Sequence, residues 1–205
     1  MIFSLANIQY NGNYESSTLR WAPVFNIQSM VNADVSKHFG FFSGIAIRNV
    51  GFIYDNYKLP AEGKSIAIEA NTYKKKFRSY NLGIPVGIKI GNLDKTFIYA
   101  GYEIEFPFQY KEKTFQDGDK INKFTEWFSN RQNWIQHGFL VGIEFPHGFD
   151  LKFKYYLSSF FNQDFVDRNG ISPYAGLDAH VFYFSFSSYL FKNTTFQSPV
   201  PDKKL

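Results

Sequence analysis

Glu103 and Glu105 stand two residues apart, and so do Lys152 and Lys154. In an extended chain that spacing places both members of each pair on one face. Two adjacent carboxylates are the raw material of a proton relay or of general acid–base catalysis, provided their surroundings hold their proton affinities apart. With ammonium groups opposite them, the same carboxylates form a mutual ion-pair network, which is the simpler reading of a balanced set. The other chemistry-bearing residues are sparse. His38, His137, His147 and His180 show no metal-ligand spacing, and the chain has no cysteine, so no thiolate site or disulfide framework exists. His137 and His180, the latter followed by Ser185 and Ser187, raise a lipid hydrolase that pairs a hydroxyl nucleophile with a histidine. No nucleophile motif accompanies them, and incidental polar residues are the preferred reading. "GIPVGIKIG" carries its glycines at strand spacing and opens no helix, so it is no phosphate loop. No catalytic, metal or cofactor-binding residue is expected, and no cofactor.

These charges must be positioned by strands. In "RSYNLGIPVGIKIGN" every second residue from Tyr80 is Tyr80, Leu82, Ile84, Val86, Ile88 and Ile90, while the intervening face is Ser79, Asn81, Gly83, Pro85, Gly87 and Lys89. Similar alternation predicts strands over 2–10, 19–35, 39–54, 75–90, 96–111, 134–145, 149–161 and 172–191. The links "SKH", "GNLDK" and "PHG" read as tight turns. Between them lie four links read as long: "NGNYESST", "DNYKLPAEGKSIAIEANTY", the stretch from Glu112 to Asn133, and "NQDFVDRNG". Short turns at one end and long loops at the other are the asymmetry of an outer-membrane barrel, and an even count of eight strands closes it. The fold class expected is all-β: an eight-stranded antiparallel up-and-down transmembrane β-barrel. One domain is expected over 1–192, with a loop helix near 121–131 from the helical spacing of Ile121, Phe124, Trp127 and Phe128, and a flexible tail over 193–205.

The glycine-rich charged faces decide which side is inside. The interior of an eight-stranded barrel is just wide enough for side chains to fill, so bulky residues at every inward position would overpack it. The aromatic and aliphatic faces therefore point outward, and an apolar belt of that extent needs lipid as its solvent. Tyr80, Tyr110, Phe97, Trp21, Trp134 and Tyr155 are candidates for interfacial girdles. The interior then holds Arg20, Arg48, Lys89, Lys152 and Lys154 against Glu103, Glu105, Glu144, Asp150 and Asp178, a lumen charge network with five of each sign. The alternation slips near Asn49 and Phe182, where bulges are expected.

Composition agrees. Aromatic residues make up 20% of the 205, which suits strands and membrane interfaces. No stretch is long and apolar enough for a spanning helix. The net charge of +4 reads as a dispersed surface balance, the only dense run being Lys74-Lys75-Lys76. Nucleic acid is not an expected partner, because the aromatics alternate along strands and do not cluster with the lysines. "MIFSLAN" fits the end of an export signal or the first strand of a mature protein, and the second reading is taken, with the true start upstream.

Three stretches carry a family resemblance: "LRWAPVFNIQSMVNADVSKHFGFFSGIAIRNVGFIYD", "RSYNLGIPVGIKIGNLDKTFIYAGYEIEFPF" and "GFDLKFKYYLSSFFNQDF" with the strand ending "SSYLF". Over Leu19 to Phe191 the chain resembles the small outer-membrane β-barrel proteins of Bacteroidota, grouped with PorT-like and OmpX-like barrels. That resemblance implies the bacterial outer membrane, no cofactor, and for some members a place as an accessory subunit of a larger outer-membrane complex. The expected partners are the lipid bilayer with its lipopolysaccharide and other outer-membrane proteins. Phe124, Trp127 and Phe128 are the candidate loop contact. A lipid-modifying barrel enzyme and a surface adhesin acting through its loops are the alternative functions, and a soluble carrier of the lipocalin kind is disfavoured by the sparse polar faces.

Overall fold

The period-two pattern yields strands throughout. The structure, a computed structural model, describes residues 1–58 and 72–188, which contain eleven strands and no α-helix. They are β1 (Ile2–Tyr10), β2 (Asn13–Ser16), β3 (Arg20–Ala22), β4 (Ile27–Asp34), β5 (Phe39–Lys58), β6 (Thr72–Gly91), β7 (Phe97–Gln116), β8 (Asp119–Trp127), β9 (Gln136–Glu144), β10 (Phe149–Tyr156) and β11 (Leu177–Ser188). All belong to one antiparallel sheet in the order β2-β1-β11-β10-β9-β7-β6-β5-β4, with β3 also on β1 and β8 also on β7. The final residues of the expected last strand and the tail over 193–205 lie outside the described residues.

The ladder is interrupted between its two ends. β2 and β3 pair with β1, while β4 pairs with β5. The connection between β3 and β4 leaves strand geometry at Pro23, which has no amide proton, and at Phe25, with φ of 59°. Side chains take over there from the backbone ladder. Asn49 of β5 donates Nδ2 to the Val24 carbonyl at 3.0 Å and receives Arg20 Nη2 on Oδ1 at 2.6 Å. Asn26 Oδ1 accepts the Asn49 amide at 2.8 Å. A little farther along, the Thr18 amide donates to Ile53 O at 2.9 Å.

The three links read as tight turns are tight turns at one end of the sheet, called the lower end here. Val35, Asn92 and Phe145 each donate their amide across the turn, to Phe39, Thr96 and Phe149 respectively. At the upper end two of the links read as long loops are hairpins instead. Asn11–Gly12 (φ 48° and 85°) turns β1 directly into β2, and Asp117–Gly118 (φ 51° and 93°) turns β7 into β8. Both positions of such a turn need positive φ, which Asn-Gly and Asp-Gly supply. The helix expected near 121–131 is therefore strand β8. β7 continues far enough to offer it a ladder, and the helical spacing of Ile121 and Phe124 is coincidental, since a register shift beside Thr114 sets Ile121 out of the pairing.

The bulges expected near Asn49 and Phe182 are absent. Pairing of β5 with β6 holds one register from Phe39 to Tyr54, and β1 with β11 holds one register from end to end. What changes at these points is polarity. On β6 the even residues point outward all along: Ile90, Ile88, Val86, Ile84 and Leu82 are exposed, then come Tyr80, Arg78, Lys76 and Lys74. On β11 the outward residues run Phe186, Phe184, Phe182, then His180 and Asp178, while Ser185 and Tyr183 give way inward to Val181, Ala179 and Leu177. The lower storey is apolar outside and polar inside, and the upper storey is the reverse. A true shift of phase occurs in β7, where Gln109 and Pro107 face consecutive β6 residues and Phe108 is left extra. It turns Tyr110 inward, fully buried, although the sequence places it in a girdle; Phe97 is buried inward as well.

Candidate functional site

The lower interior gathers polar side chains from β4, β5, β6, β7, β9 and β10, each set inward by the pleat. Arg48 of β5 donates Nε and Nη2 to Glu103 Oε1 at 3.1 and 3.0 Å, and Nη1 to Gln28 Oε1 at 3.0 Å. Lys154 bridges the carboxylates, with Nζ 2.7 Å from Glu103 Oε2 and 2.5 Å from Glu105 Oε1. Glu105 also accepts Tyr156 OH at 2.8 Å and Asn81 Nδ2 at 2.6 Å, and Asn81 in turn donates to Gln136 Oε1 at 3.0 Å. Glu103, Glu105 and Lys154 are fully buried. Every carboxylate oxygen of the two glutamates is engaged by a cation or a neutral donor. The arrangement is a cross-brace between strands, each charge offset by a neighbour.

Five members of the expected lumen network, Arg48, Glu103, Glu105, Lys152 and Lys154, lie together, Lys152 joining through Gln28 at 3.2 Å. The others are placed differently. Lys89 pairs with Asp34 at 2.6 Å near the lower end. Asp150 accepts Tyr99 OH at 2.5 Å and Ser187 Oγ at 2.8 Å. Glu144 stands opposite Asp150 in the β9–β10 register. Arg20 serves Asn49 and the wall. Asp178 is not in the interior: with no bulge to flip it, it points outward beside His180, 3.1 Å from Nε2. Lower still, the Phe42 ring covers the opposed Gly87 and Gly101, where any Cβ would collide with it, and Tyr99 packs edge-on to Phe42.

Above the polar layer the interior is aromatic. Phe77 and Phe161 lie 4.8 Å apart, Phe161 and Tyr174 stack at 4.5 Å, and Phe52 touches both Phe77 and Phe160. On this layer rests a second polar cluster, in which Lys75 Nζ is 2.8 Å from Glu112 Oε1, while Tyr110 OH and Tyr174 OH donate to Glu112 Oε2 at 2.7 and 3.1 Å. Burial works against the Glu112 charge, but Lys75, Tyr110 and Arg131 outweigh it and hold the carboxyl below its ordinary value. Burial and the Glu112 charge push both tyrosines up.

The expected loop contact divides. Phe124 faces inward against Tyr110 beneath the Arg131 guanidinium, whereas Trp127 and Phe128 are 59% and 77% exposed. The His180–serine pairing does not form: His180 is outward, stacked on Tyr155, while Ser185 and Ser187 alternate inward on the same strand. His137 Nδ1 lies 2.5 Å from Tyr102 OH. Asn81, Gln136 and Gln28 stood on the polar faces of the sequence and could have been named as network members by parity. Tyr156 and Tyr183 share the inward parity of Lys154 and Ser185 and could have been named the same way, although their type alone does not separate an inward tyrosine from a girdle tyrosine.

No family model matches this chain, and no curated protein matches it. Among solved structures, it is similar to Ail, the attachment invasion locus protein of Yersinia pestis, at 13% identity and a TM-score of 0.38, over 90% of this chain and 92% of that one. A second structure of Ail, in complex with the heparin analogue sucrose octasulfate, gives 11% identity and a TM-score of 0.37 over the same shares.

Proposed function

We propose that this chain is a non-catalytic outer-membrane β-barrel with a sealed lumen, acting through its upper storey as an interaction or accessory subunit. Residues 13–34 form one broken stave, with β2 and β3 on β1 and with Thr18, Asn26 and β4 on β5; β8 and β9 form another along β7. On this reading the wall has eight staves, with side-chain contacts bridging the place where the backbone ladder is interrupted.

One observation carries the reading: the outer face of β6. It is wholly apolar from Ile90 to Leu82, passes through Tyr80, and is cationic from Arg78 onward. Ten residue steps at about 3.3 Å, tilted by about 40°, give an apolar band of about 25 Å, the height that lipid requires. The tight lower turns are the periplasmic side, and the upper storey stands outside the cell. The network and the rings above it fill the lumen, which leaves the exterior of the upper storey to do the work. The accessory role rests on the resemblance of Leu19–Phe191 to small Bacteroidota barrels and on the exposed Trp127–Phe128 pair.

Two measurements test it. The chain folded into lipid vesicles should run faster on gels unheated than boiled. Native detergent extraction should bring down a stoichiometric outer-membrane partner with the natural chain and lose it with Trp127→Ala/Phe128→Ala. A chain that stays in aqueous buffer without detergent ends the membrane reading; a monomer with no partner ends the subunit reading.

A further inference from the structure

The lysines scattered along the sequence are collected by the fold. The outward face of β6, β7 and β8 above the apolar band carries Lys74, Lys76, Arg78, Lys111, Lys113 and Lys123. The register sets cations directly opposite one another: Arg78 faces Lys111, Lys76 faces Lys113, and Lys113 also faces Lys123. Like charges in that position destabilise a sheet.

The nearby carboxylates are largely committed elsewhere, although Asp55 also feels the Lys76 charge. Asp55 is engaged by Lys74, Glu112 is inward with Lys75, Glu126 lies near Arg131, and Asp117 and Asp119 sit at the β7–β8 turn. Among the described residues no carboxylate lies within 4 Å of Lys76, Arg78, Lys111, Lys113 or Lys123. Burial and the cations Arg78, Lys123, Lys113 and Lys120 together lower the proton affinity of Lys111. The Arg78 guanidinium lies 4.1 Å from the Tyr80 ring centroid and donates Nη1 to Tyr80 OH at 3.1 Å and Nη2 to Gln109 Oε1 at 2.5 Å.

Directly below runs a row of rings, Phe25, Tyr80, Phe108 and Trp127, with successive centroids 5.5, 6.2 and 6.0 Å apart. Such a row marks the level where acyl chains meet headgroups. The cations above it face sideways at headgroup height.

We propose that this face binds the phosphate groups of an outer-leaflet glycolipid, with Arg78, Lys111, Lys113 and Lys123 supplying the charge and the ring row packing on the acyl chains. The inference rests on the membrane reading given above. A guanidinium at the foot of the patch adds a fixed positive charge that suits a phosphate, and the lysines act as point charges around it. The anion supplies what the register lacks, a negative layer between opposed cations. A lipid is preferred to a soluble polyanion because the patch looks along the membrane plane and is continuous with an apolar belt.

The test uses the full chain in phosphatidylcholine nanodiscs, with Trp127 fluorescence, read in a Trp21→Phe/Trp134→Phe background, titrated by bisphosphorylated lipid A, by the dephosphorylated form and by heparin. Bisphosphorylated lipid A should bind tightest. Each of Lys111→Gln, Lys113→Gln and Lys123→Gln should weaken it by about fivefold, and loss of the phosphates should weaken it more than any single substitution. Lys113→Gln should also raise the thermal midpoint in phosphatidylcholine alone and lower it once bisphosphorylated lipid A is present. Equal binding of the two lipid A forms, tighter binding of heparin, or a Lys113→Gln shift of one sign in both lipids overturns the proposal. Heat-modifiable gel mobility of the same samples keeps the outcomes apart: a folded barrel without lipid A binding refutes this inference alone, and no folding in lipid refutes both.

Discussion

Two storeys of one set of strands obey opposite rules. In the lower, Glu103, Glu105, Arg48 and Lys154 are buried while Ile84, Val86 and Ile98 are exposed. In the upper, Phe52, Phe77 and Phe161 are buried while Lys74, Lys76 and Lys111 line the outside. The same strands serve both, since β5, β6 and β7 each run 20 residues through the two, with a bulge in β7 at Phe108 where the storeys meet. On the membrane reading proposed above, what changes is the medium. Where lipid surrounds the wall, apolar side chains gain nothing by turning inward, and polar ones have nowhere else to go. Where water surrounds it, the hydrophobic effect assembles an ordinary aromatic core. The lower storey is held by its ladder and by hydrogen-bonded charges, the upper by packed rings.

The difference is broken most directly at Glu103. Its loss leaves Arg48 with the neutral Gln28 alone and Lys154 with Glu105 alone, so Glu103→Ala should cost about 4 kcal/mol and destabilise the whole barrel. The readout is the urea midpoint of the unheated gel band. Phe161→Ala should cost about 3 kcal/mol by opening a cavity in the upper core. Its effect should be local: protease should nick the upper hairpins while the lower barrel keeps its heat-modifiable band. If Phe161→Ala abolishes that band, the storeys form one cooperative unit.

A smaller effect sharpens the comparison on a single strand. Ile84 and Lys76 lie on the same outward face of β6, on either side of Tyr80. Ile84→Arg places a charge in the middle of the apolar band and should cost about 2–3 kcal/mol in lipid. Lys76→Gln, on the watery side, should stay within about 0.5 kcal/mol. Equal tolerance at both sites would mean that the apolar face does not meet lipid.

The same contrast explains what the sequence made legible. Inward and outward faces were readable along "RSYNLGIPVGIKIGN" because β6 keeps one parity and its lower outside is uniformly apolar. The apparent slips near Asn49 and Phe182 are exchanges of polarity between the two faces, which a rule assuming one pattern along a whole strand must interpret as bulges. The real bulge at Phe108 was hidden, because Phe106, Phe108 and Tyr110 continue an aromatic alternation straight through it. Parity alone thus sent Tyr110 outward, and with it the reading of the Glu112 cluster was lost. Asp117–Gly118 was a visible hairpin signal, overlooked because four apolar residues nearby matched a helix. The cationic face could not be seen, since its members come from three strands and meet only through register.

The upper storey should also respond to acid in its own way, through Glu112. The folded carboxyl is held below its ordinary value, so the unfolded form takes up protons more readily. The stabilisation is therefore present above the ordinary carboxylate range, near pH 4 and higher, and disappears as pH falls through the folded value. Protonation would dissolve the Lys75 ion pair and weaken the acceptor shared by Tyr110 and Tyr174. Upper-hairpin protection, followed by hydrogen exchange from pH 6 to pH 3, should fall in the natural chain. In Glu112→Gln it should start lower, by about 1–2 kcal/mol for a lost charge-assisted bond, and vary less with pH. If the variant retains the full acid-dependent loss, another carboxylate governs the upper storey, and the cluster over the aromatic layer does not couple it to pH.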